Sequence, residues 1–426
     1  MKSASLTIPL MIVVLSLTTE QLRATVDFAD GNTYDIDYEI NDDIRLDYQS
    51  PGTGTTVNLL DGGYTFWVNT YEDSILNMSG GLIGSSLSSW GRSRVEVSGG
   101  VVGSYLSACD DSQINLAGGT VTNTVYATHN SAVTLGPGVT VARADVSGKG
   151  GVKLEGGTIT EDVYVCDEGN FELSSGKVNN IDPRDKSHIR VAGGAVEDSL
   201  WAFGESDIKI TGGDLFCVDA RENVRVSFSG GTIGFNGLRG SDETHIDMFG
   251  GSAGYFTTGG TASADIFDGH TEALYCSDES SINLYGGTIE ENMISTLNSL
   301  LTIYGSDFFV DGSAFGYGEL ESIKRGQYYY EPIRHITGTL SNGTLLDCDF
   351  QIGFNGHIVL VPDPDFNDDG QINFKDFSFL ASQWPKTDCN ETNGWCQECD
   401  FDESGAVDSA DLMLFSSNWL WKPDGI

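Results

Sequence analysis

Residues 189–213 read IRVAGGAVEDSLWAFGESDIKITGG and contain, twice, the pattern that decides the fold. An apolar–polar–apolar triplet leads into a Gly-Gly pair at 189–194, and the same arrangement returns at 208–213. The first apolar residue of each copy stands at 57, 76, 95, 114, 133, 152, 171, 189, 208, 226, 246, 264, 282 and 301. A spacing this constant over so many copies indicates a repeat protein with a period of about 19 residues.

Apolar and polar residues alternate with a period of two inside each copy, as in β-strands that have one buried face. Ile208 and Ile210 would face the interior and Lys209 the solvent. The Gly-Gly pair would turn a corner, and two further short strands with a closing turn complete the copy. Three short strands per copy are too few for a propeller blade. They are typical of one turn of a parallel β-solenoid, which we expect to be right-handed.

The segments on either side of the repeats have different compositions. Met1-Lys2 followed by a short apolar run predicts a secretory signal peptide, and hence a secreted protein that is extracellular or associated with the cell surface. Pro362-Asp363-Pro364 breaks regular structure and predicts a linker. The predicted segments are a signal peptide (1–24), an N-terminal cap (25–56), solenoid repeats (57–306), C-terminal cap strands (307–361), a linker (362–364) and a C-terminal module (365–421).

The net charge argues against two classes of ligand, and the cysteine spacing argues against disulfides in the solenoid. The chain carries 22 basic and 62 acidic residues, for a net charge of −40, which disfavours nucleic acid and anionic lipid as ligands. After removal of the signal peptide, no segment is apolar for long enough to predict membrane insertion. Cys109 and Cys166 would lie about three turns apart, or roughly 14 Å, as would Cys217 and Cys276. We therefore expect free thiols there, because a disulfide needs Cα atoms within about 7 Å.

Two acidic loops near the C terminus share one spacing. Residues 365–376 read DFNDDGQINFKD and residues 400–411 read DFDESGAVDSAD, with oxygen-bearing side chains at places one, three, five, nine and twelve and glycine at place six. A hard cation with six to eight oxygen ligands requires this arrangement of a short loop. Each loop leads into a segment with apolar residues at helical spacing, 376–384 and 411–419. The duplication predicts two calcium ions in a small α-helical module.

Residues from about 363 to 421 resemble a type I dockerin, a module whose two half-EF-hand loops end in Asp and which binds a cohesin domain. The resemblance implies two Ca²⁺ ions as cofactors and a cohesin-like domain as the protein partner. The implied calcium ligands are Asp365, Asn367, Asp369, Gln371, Asn373 and Asp376 in the first loop, and Asp400, Asp402, Ser404, Ala406, Asp408 and Asp411 in the second, with Gln371 and Ala406 contributing backbone carbonyls. The implied partner-facing residues are Phe374, Lys375, Ser409 and Ala410.

The segment between the two loops departs from the dockerin pattern. It is longer than usual, and together with the following residue it carries Cys389, Cys396 and Cys399. We expect one disulfide among the three, with its pairing open. A zinc site is less favoured, because only three ligands are evident.

The solenoid itself resembles, more loosely, the repeat regions of bacterial dockerin-bearing and adhesin-like β-solenoid proteins. Hydrolase or lyase chemistry needs converging acids and bases, but the six histidines are scattered. We interpret Asp110-Asp111 as a turn cap and assign no catalytic residue. The predicted function is a non-catalytic scaffold or adhesin-like protein with a docking module. The alternative is a β-helix carbohydrate-active enzyme, a polysaccharide lyase or hydrolase, that its dockerin delivers to a complex or cell surface.

One column of aromatic residues is a candidate glycan-binding surface. Tyr126, Tyr164 and Trp201 would point outward about two turns apart, and Tyr275 holds a similar place. Aromatic rings along a flat face can stack on a polysaccharide chain. The same rings can instead pack on one another or on neighbouring loops.

Overall fold

The computed structural model describes residues 24–49, 53–320, 333–362, 364, 366, 372–401 and 404–417. It is 56% β structure and forms a parallel β-solenoid of about 15 turns of about 19 residues each, with three short helices. The predicted parallel solenoid and its period are confirmed, whereas the right-handed winding stays a prediction. No helix in the described ranges is long and apolar enough to cross a membrane.

The strands follow one another with short turns along the described chain. Strands of the first turns are β1 (Thr25–Phe28), β2 (Thr33–Ile36), β3 (Asp43–Leu46), β4 (Thr56–Leu59), β5 (Tyr64–Thr65), β6 (Val68–Thr70), β7 (Ile75–Met78), β8 (Leu82–Ile83), β9 (Leu87–Ser89), β10 (Arg94–Val97), β11 (Val101–Val102) and β12 (Leu106–Ala108). The middle turns contain β13 (Gln113–Leu116), β14 (Gly119–Ala127), β15 (Ala132–Leu135), β16 (Val139–Val146), β17 (Gly151–Val165), β18 (Asn170–Pro183), β19 (His188–Val191), β20 (Ala195–Ala202), β21 (Asp207–Leu215), β22 (Val218–Ala220), β23 (Arg225–Ile233) and β24 (Leu238–Gly240). The last strands are β25 (His245–Thr258), β26 (Ser263–Cys276), β27 (Ser281–Leu284), β28 (Thr288–Ser295), β29 (Leu300–Val310), β30 (Ser313–Ala314), β31 (Gly318–Glu319), β32 (Arg334–Leu340), β33 (Leu345–Ile352) and β34 (His357–Val361). The helices are α1 (Phe374–Gln383), α2 (Gly394–Glu398) and α3 (Ser409–Ser417), with a 3-10 turn at Glu391–Asn393 before α2.

Equivalent residues of successive turns lie in register. Val95 of β10 pairs with Leu76 of β7 on one side and with Ile114 of β13 on the other. All three side chains are buried, and the same columns continue along the solenoid as one core cluster. Side chains at one sequence position in successive turns therefore lie about 4.8 Å apart.

The Gly-Gly corner is required by close backbone contact between turns. Gly213 has a φ of +95°, and a Cβ there would lie 3.0 Å from the carbonyl oxygen of Gly194 in the preceding turn. An L-residue with a side chain would be strained by both the dihedral angle and the contact. The corner therefore keeps glycine wherever the turns stack this closely.

Acidic residues at the closing turns bind the turn before them. Asp110 and Asp167 have φ values of 56° and 57°, a left-handed conformation that Asp tolerates better than most residues. The Asp110 carboxylate accepts a hydrogen bond from the Gly91 N–H at 3.1 Å, and that of Asp167 accepts one from the Gly148 N–H at 3.0 Å. The interpretation of Asp110 as a turn cap is confirmed.

Buried serine hydroxyls beside the same closing turns donate hydrogen bonds to the preceding turn of the solenoid. The Ser112 Oγ donates to the Ser89 carbonyl at 3.1 Å, and the Ser131 Oγ donates to the Ala108 carbonyl at 2.9 Å. Both side chains are buried. A buried hydroxyl is tolerated only with a hydrogen-bond partner, and here the partner is the neighbouring turn.

The two ends of the solenoid are built differently. Parallel pairing starts with β1, which pairs with β3, and with β2, which pairs with β4. The segment 25–56, expected to be a cap, thus already belongs to the stacked ladder. At the other end β32 runs antiparallel to both β29 and β33, and β34 pairs in parallel with β29. These are the closing strands that were expected within 307–361.

The five cysteines of the solenoid carry free thiols. Cys109, Cys276 and Cys348 are buried, whereas Cys166 and Cys217 are half-buried. Burial raises the pKa of the Cys348 thiol to about 12. The expectation of free thiols at these distances is confirmed, and the side chains act as small apolar residues.

Candidate functional sites: the C-terminal loops and an aromatic groove

The two acidic loops enter their helices by the same hydrogen-bond pattern. At α1 the Asn373 Oδ1 accepts a bond from the Lys375 N–H, and the Asp376 Oδ2 accepts one from the Asn373 N–H, both at 2.9 Å. At α3 the Asp408 Oδ1 accepts from the Ala410 N–H at 2.8 Å, and the Asp411 Oδ2 accepts from the Asp408 N–H at 2.7 Å. The duplication in sequence is therefore also a duplication in local structure.

The second loop folds around two fully buried carboxylates. The Asp400 Oδ1 accepts a hydrogen bond from the Ser404 N–H at 3.0 Å, and its Oδ2 accepts one from the Gly405 N–H at 2.9 Å. The Asp411 Oδ1 accepts from the Phe401 N–H at 2.6 Å, so both ends of the loop meet near the same peptide. Gly405 has a φ of +94°, which explains why the sixth place of the loop is glycine.

The donor atoms of this loop suit a hard cation. The Ser404 hydroxyl lies 3.3 Å from the Ala406 carbonyl oxygen, which brings places five and seven of the loop together. Carboxylate, hydroxyl and carbonyl oxygens are the ligands that Ca²⁺ prefers. The predicted ligands Asp365, Asn367, Asp369, Gln371 and Asp402 lie outside the described residues.

The module has a small apolar core of its own. Its fully buried members come from both loops and helices, among them Ile372, Leu380, Val407 and Phe415. Trp384 and Leu412, which share the helical spacing of the apolar stripe, are instead substantially exposed. A core of this size contributes only a few kcal/mol of stability, so a module this small needs a cross-link or a metal.

A disulfide supplies one such cross-link. Cys389 and Cys396 are bonded, with their Cα atoms 4.9 Å apart. Cys399 is buried beside them, with its Sγ 3.6 Å from the Gln397 carbonyl oxygen. The prediction of one disulfide in this segment is confirmed, and the pairing that the sequence left open is Cys389–Cys396.

The predicted partner-facing residues lie at the starts of the two helices. Phe374 is 71% exposed, Lys375 and Ser409 are also exposed, and Ala410 is half-buried. The structure adds Met413, which is 70% exposed on α3. The sequence pattern does not identify Met413, because only the folded helix distinguishes this exposed apolar residue from a buried one such as Phe415.

The predicted aromatic column exists on the third strand of each turn. Tyr126 pairs with Asp145, which pairs with Tyr164. The column continues through Asp182 to Trp201, although the last register step is read from the neighbouring pair Ile181 and Leu200. Tyr126, Tyr164 and Trp201 are thus two turns apart, as expected. Strand pairing carries the column on through Asp219, Arg239 and Thr257 to Tyr275.

The first two aromatic residues of this column are engaged by neighbouring side chains. Tyr126 packs against Tyr105, with ring centroids 5.8 Å apart. The Arg143 guanidinium lies 4.1 Å from the ring centroid of Tyr164. The Tyr164 hydroxyl donates to Asp162 at 3.0 Å, which raises the pKa of the phenol. These contacts leave less of both rings available for a ligand.

From Trp201 to Tyr275 the same face forms an open groove of about 760 Å³. Trp201 is 43% exposed and Phe235 is 63% exposed, and Tyr255 and Tyr275 line the far side with ring centroids 5.8 Å apart. Arg239 is exposed between them and forms no ion pair with any described residue. Four turns separate Trp201 from Tyr275, a distance of about 19 Å.

Asp219 is the acidic residue most firmly held in the groove. It is buried, and both of its carboxylate oxygens accept bonds from Arg221, at 2.8 and 2.9 Å. The Arg221 guanidinium in turn lies 5.4 Å from the ring centroid of Trp201. This network orients the indole and neutralises the acid beside it.

Comparison of the chain with family models, with curated proteins and with solved structures finds no match.

Proposed function

We propose that this protein is a secreted, non-catalytic β-solenoid scaffold of the adhesin-like kind that docks to a protein partner through a calcium-dependent, dockerin-type module. The observation that best supports the proposal is the second loop, where fully buried Asp400 and Asp411 close a twelve-residue turn around Gly405. The Cys389–Cys396 disulfide also supports an extracellular location, because disulfides persist in oxidising compartments.

The proposed roles of the two loops follow from their hydrogen bonds. Both oxygens of Asp400 and of Asp411 accept backbone N–H bonds, and each oxygen keeps a second lone pair that would coordinate Ca²⁺. The ion would supply positive charge that offsets the buried carboxylates, and so would couple binding to folding of the module. Exposed Phe374 at the start of α1 and exposed Met413 in the middle of α3 would then be held in place for a cohesin-like domain.

Binding of the full-length protein to a panel of purified cohesin domains tests the docking role. We expect binding to at least one domain in Ca²⁺ and none in a chelator. Phe374→Ala and Met413→Ala should each weaken it about tenfold, since buried apolar anchors dominate such interfaces. Ser416→Ala, an exposed change on α3, is the matched control and should bind as the wild type does. Two bound Ca²⁺ ions without binding to any cohesin domain would refute docking but leave the calcium sites standing.

A second proposed function, polysaccharide binding, is supported by the groove. Its exposed rings offer flat apolar faces, and Arg239 offers a cation that suits the carboxylates of uronic-acid sugars. A chain running along the strand column would meet Trp201, then Arg239, then Tyr275. This order favours an extended glycan over a compact ligand.

Affinity electrophoresis with neutral and uronate-containing polysaccharides tests the groove. Trp201→Ala should weaken binding about tenfold, equivalent to ~1.4 kcal/mol. Trp90→Ala removes an indole of similar exposure (37%) elsewhere on the solenoid and should change nothing. Arg239→Gln should reduce binding to uronate-containing chains only. Equal affinity of the Trp201 and Trp90 variants would contradict the assignment.

The same polysaccharides distinguish the scaffold from the enzyme alternative. A lyase or hydrolase would release new chain ends from the bound glycan, whereas a scaffold would return it unchanged. Turnover that disappears in a groove variant would replace the non-catalytic proposal with a carbohydrate-active enzyme delivered by its docking module.

A further inference from the structure

A polar cluster that is separate from the aromatic groove lies on the outer face of β25 and β26. His245 and Asp247 are two residues apart on β25 and so project from the same face. Asp265 of β26 is paired with Asp247 in the next turn. All three side chains are half-buried, and one ligand atom from each lies within 4.8 Å of the others.

One imidazole nitrogen faces both carboxylates. The His245 Nε2 lies 3.2 Å from the Asp247 Oδ1 and 3.8 Å from the Asp265 Oδ2. Zinc bonds of about 2.0–2.2 Å at tetrahedral angles separate neighbouring ligand atoms by about 3.3–3.6 Å. The two observed separations bracket that range, and the third, between the two carboxylate oxygens, is no more than 4.8 Å. Side-chain rotation would bring the three atoms around one ion.

Neighbouring side chains form hydrogen bonds with two of the three groups, through the atoms that do not face the cluster. The His245 Nδ1 lies 2.7 Å from the Ser263 Oγ, and the Asn283 Nδ2 donates to the Asp265 Oδ1 at 2.8 Å. The Nε2 and the other carboxylate oxygen are thereby directed at each other. Partners of this kind, which orient the imidazole and the carboxylate, are typical of metal sites.

We propose that His245, Asp247 and Asp265 bind a divalent transition-metal ion, with Zn²⁺ as the probe of choice. One nitrogen and two oxygens leave a fourth position for water or for a ligand group, as in zinc sites that interact with a substrate. The imidazole favours zinc-like ions over Ca²⁺. Arg225 is paired with His245 on the preceding turn, and the two carboxylates outnumber its single positive charge.

The chain contains a close control for this site. His188 occupies the same column three turns earlier, where strand pairing links it through Asp207 and Arg225 to His245. Its Nδ1 lies 3.7 Å from one carboxylate, that of Asp207. A second polar group, Cys166 with Asp167 and Asp185, also brings potential ligands within 4.8 Å, but its two acids are exposed.

Calorimetric titration of the tag-free, full-length protein with Zn²⁺ in saturating Ca²⁺ tests the proposal. We expect one Zn²⁺ per chain, and a visible absorption band of four-coordinate geometry when Co²⁺ is used instead. His245→Ala and Asp265→Asn should each weaken Zn²⁺ binding 10- to 100-fold. His188→Ala and Cys166→Ser should leave the affinity and the Co²⁺ band unchanged.

The conservative variant Asp265→Asn distinguishes loss of Zn²⁺ binding from misfolding. Asp265→Asn keeps an oxygen that can accept the Asn283 bond, so its thermal unfolding should match that of the wild type. Absence of stoichiometric Zn²⁺ binding would overturn the site. So would Zn²⁺ binding that survives both His245→Ala and Asp265→Asn, or that is lost in Cys166→Ser.

Discussion

Asp411→Asn should abolish calcium binding at the second loop and unfold much of the C-terminal module. The Asp411 carboxylate is fully buried and accepts bonds from the N–H groups of Phe401 and Asp408. An amide in its place would turn a donor toward one of these N–H groups, at a cost of about 1–3 kcal/mol. The lost ion would cost about 2.7 kcal/mol more at a Ca²⁺ concentration one hundred times the Kd.

The two losses together are comparable to the few kcal/mol that so small a core contributes. Calorimetric titration should therefore count one Ca²⁺ ion instead of two, and the module's unfolding transition should move to lower temperature or disappear. Asp388→Asn is the matched control, since it removes the same charge from an exposed position between the loops. A wild-type Ca²⁺ stoichiometry in the Asp411 variant would reject the proposed calcium site.

Phe228→Ala should destabilise the solenoid by about 3–5 kcal/mol, the usual cost of removing a fully buried phenylalanine. Phe228 lies in β23 between Ile210 and Met248 of the adjacent turns, and its side chain has no exposed surface. The ring fills the interior at the Gly251 corner, where an added Cβ would come within 2.4 Å of it. The neighbouring turns cannot close the resulting cavity without losing register.

Urea unfolding measures this loss, and hydrogen exchange should locate it in the turns around β23, because each turn contacts mainly its neighbours. Phe235→Ala removes the same side chain from an exposed position seven residues later. It should cost no more than about 1.5 kcal/mol, the contribution of its edge-on contact with Tyr255. If the two alanine variants lose equal stability, the inward and outward faces have been assigned incorrectly.

The repeat was predictable because its signal is local and is repeated many times. Ile208 and Ile210 face inward and Lys209 outward, as the alternation indicates. The first strands of the parallel ladder were harder to predict from the sequence, because β1, β2 and β3 belong to it without carrying the Gly-Gly motif. Strand pairing depends on backbone hydrogen bonds, which sequence patterns report only indirectly.

The candidate sites also differ in how far the sequence predicts them, because one is formed within a single loop and the other by several turns. Asp400, Gly405 and Asp411 could be selected from spacing alone, because a twelve-residue loop brings its own oxygen-bearing side chains together. The groove was predicted only in part. Of the four residues that the aromatic pattern selects, Trp201 and Tyr275 line the groove, whereas Tyr105 and Arg143 engage Tyr126 and Tyr164. Phe235 and Arg239, which the pattern did not select, complete the exposed surface.

By itself, the sequence determined the period of the solenoid, the inward face of its strands and the duplicated acidic loops near the C terminus, since each depends on residues close together in the chain. Only the tertiary structure decided that Cys389 bonds to Cys396, that Trp201 and Tyr275 border one groove, and that His245 faces Asp265. The groove and the His245 cluster join residues from different turns. Their contacts depend on the exact register of each turn against the next, and an insertion or deletion of one residue in a turn would separate them.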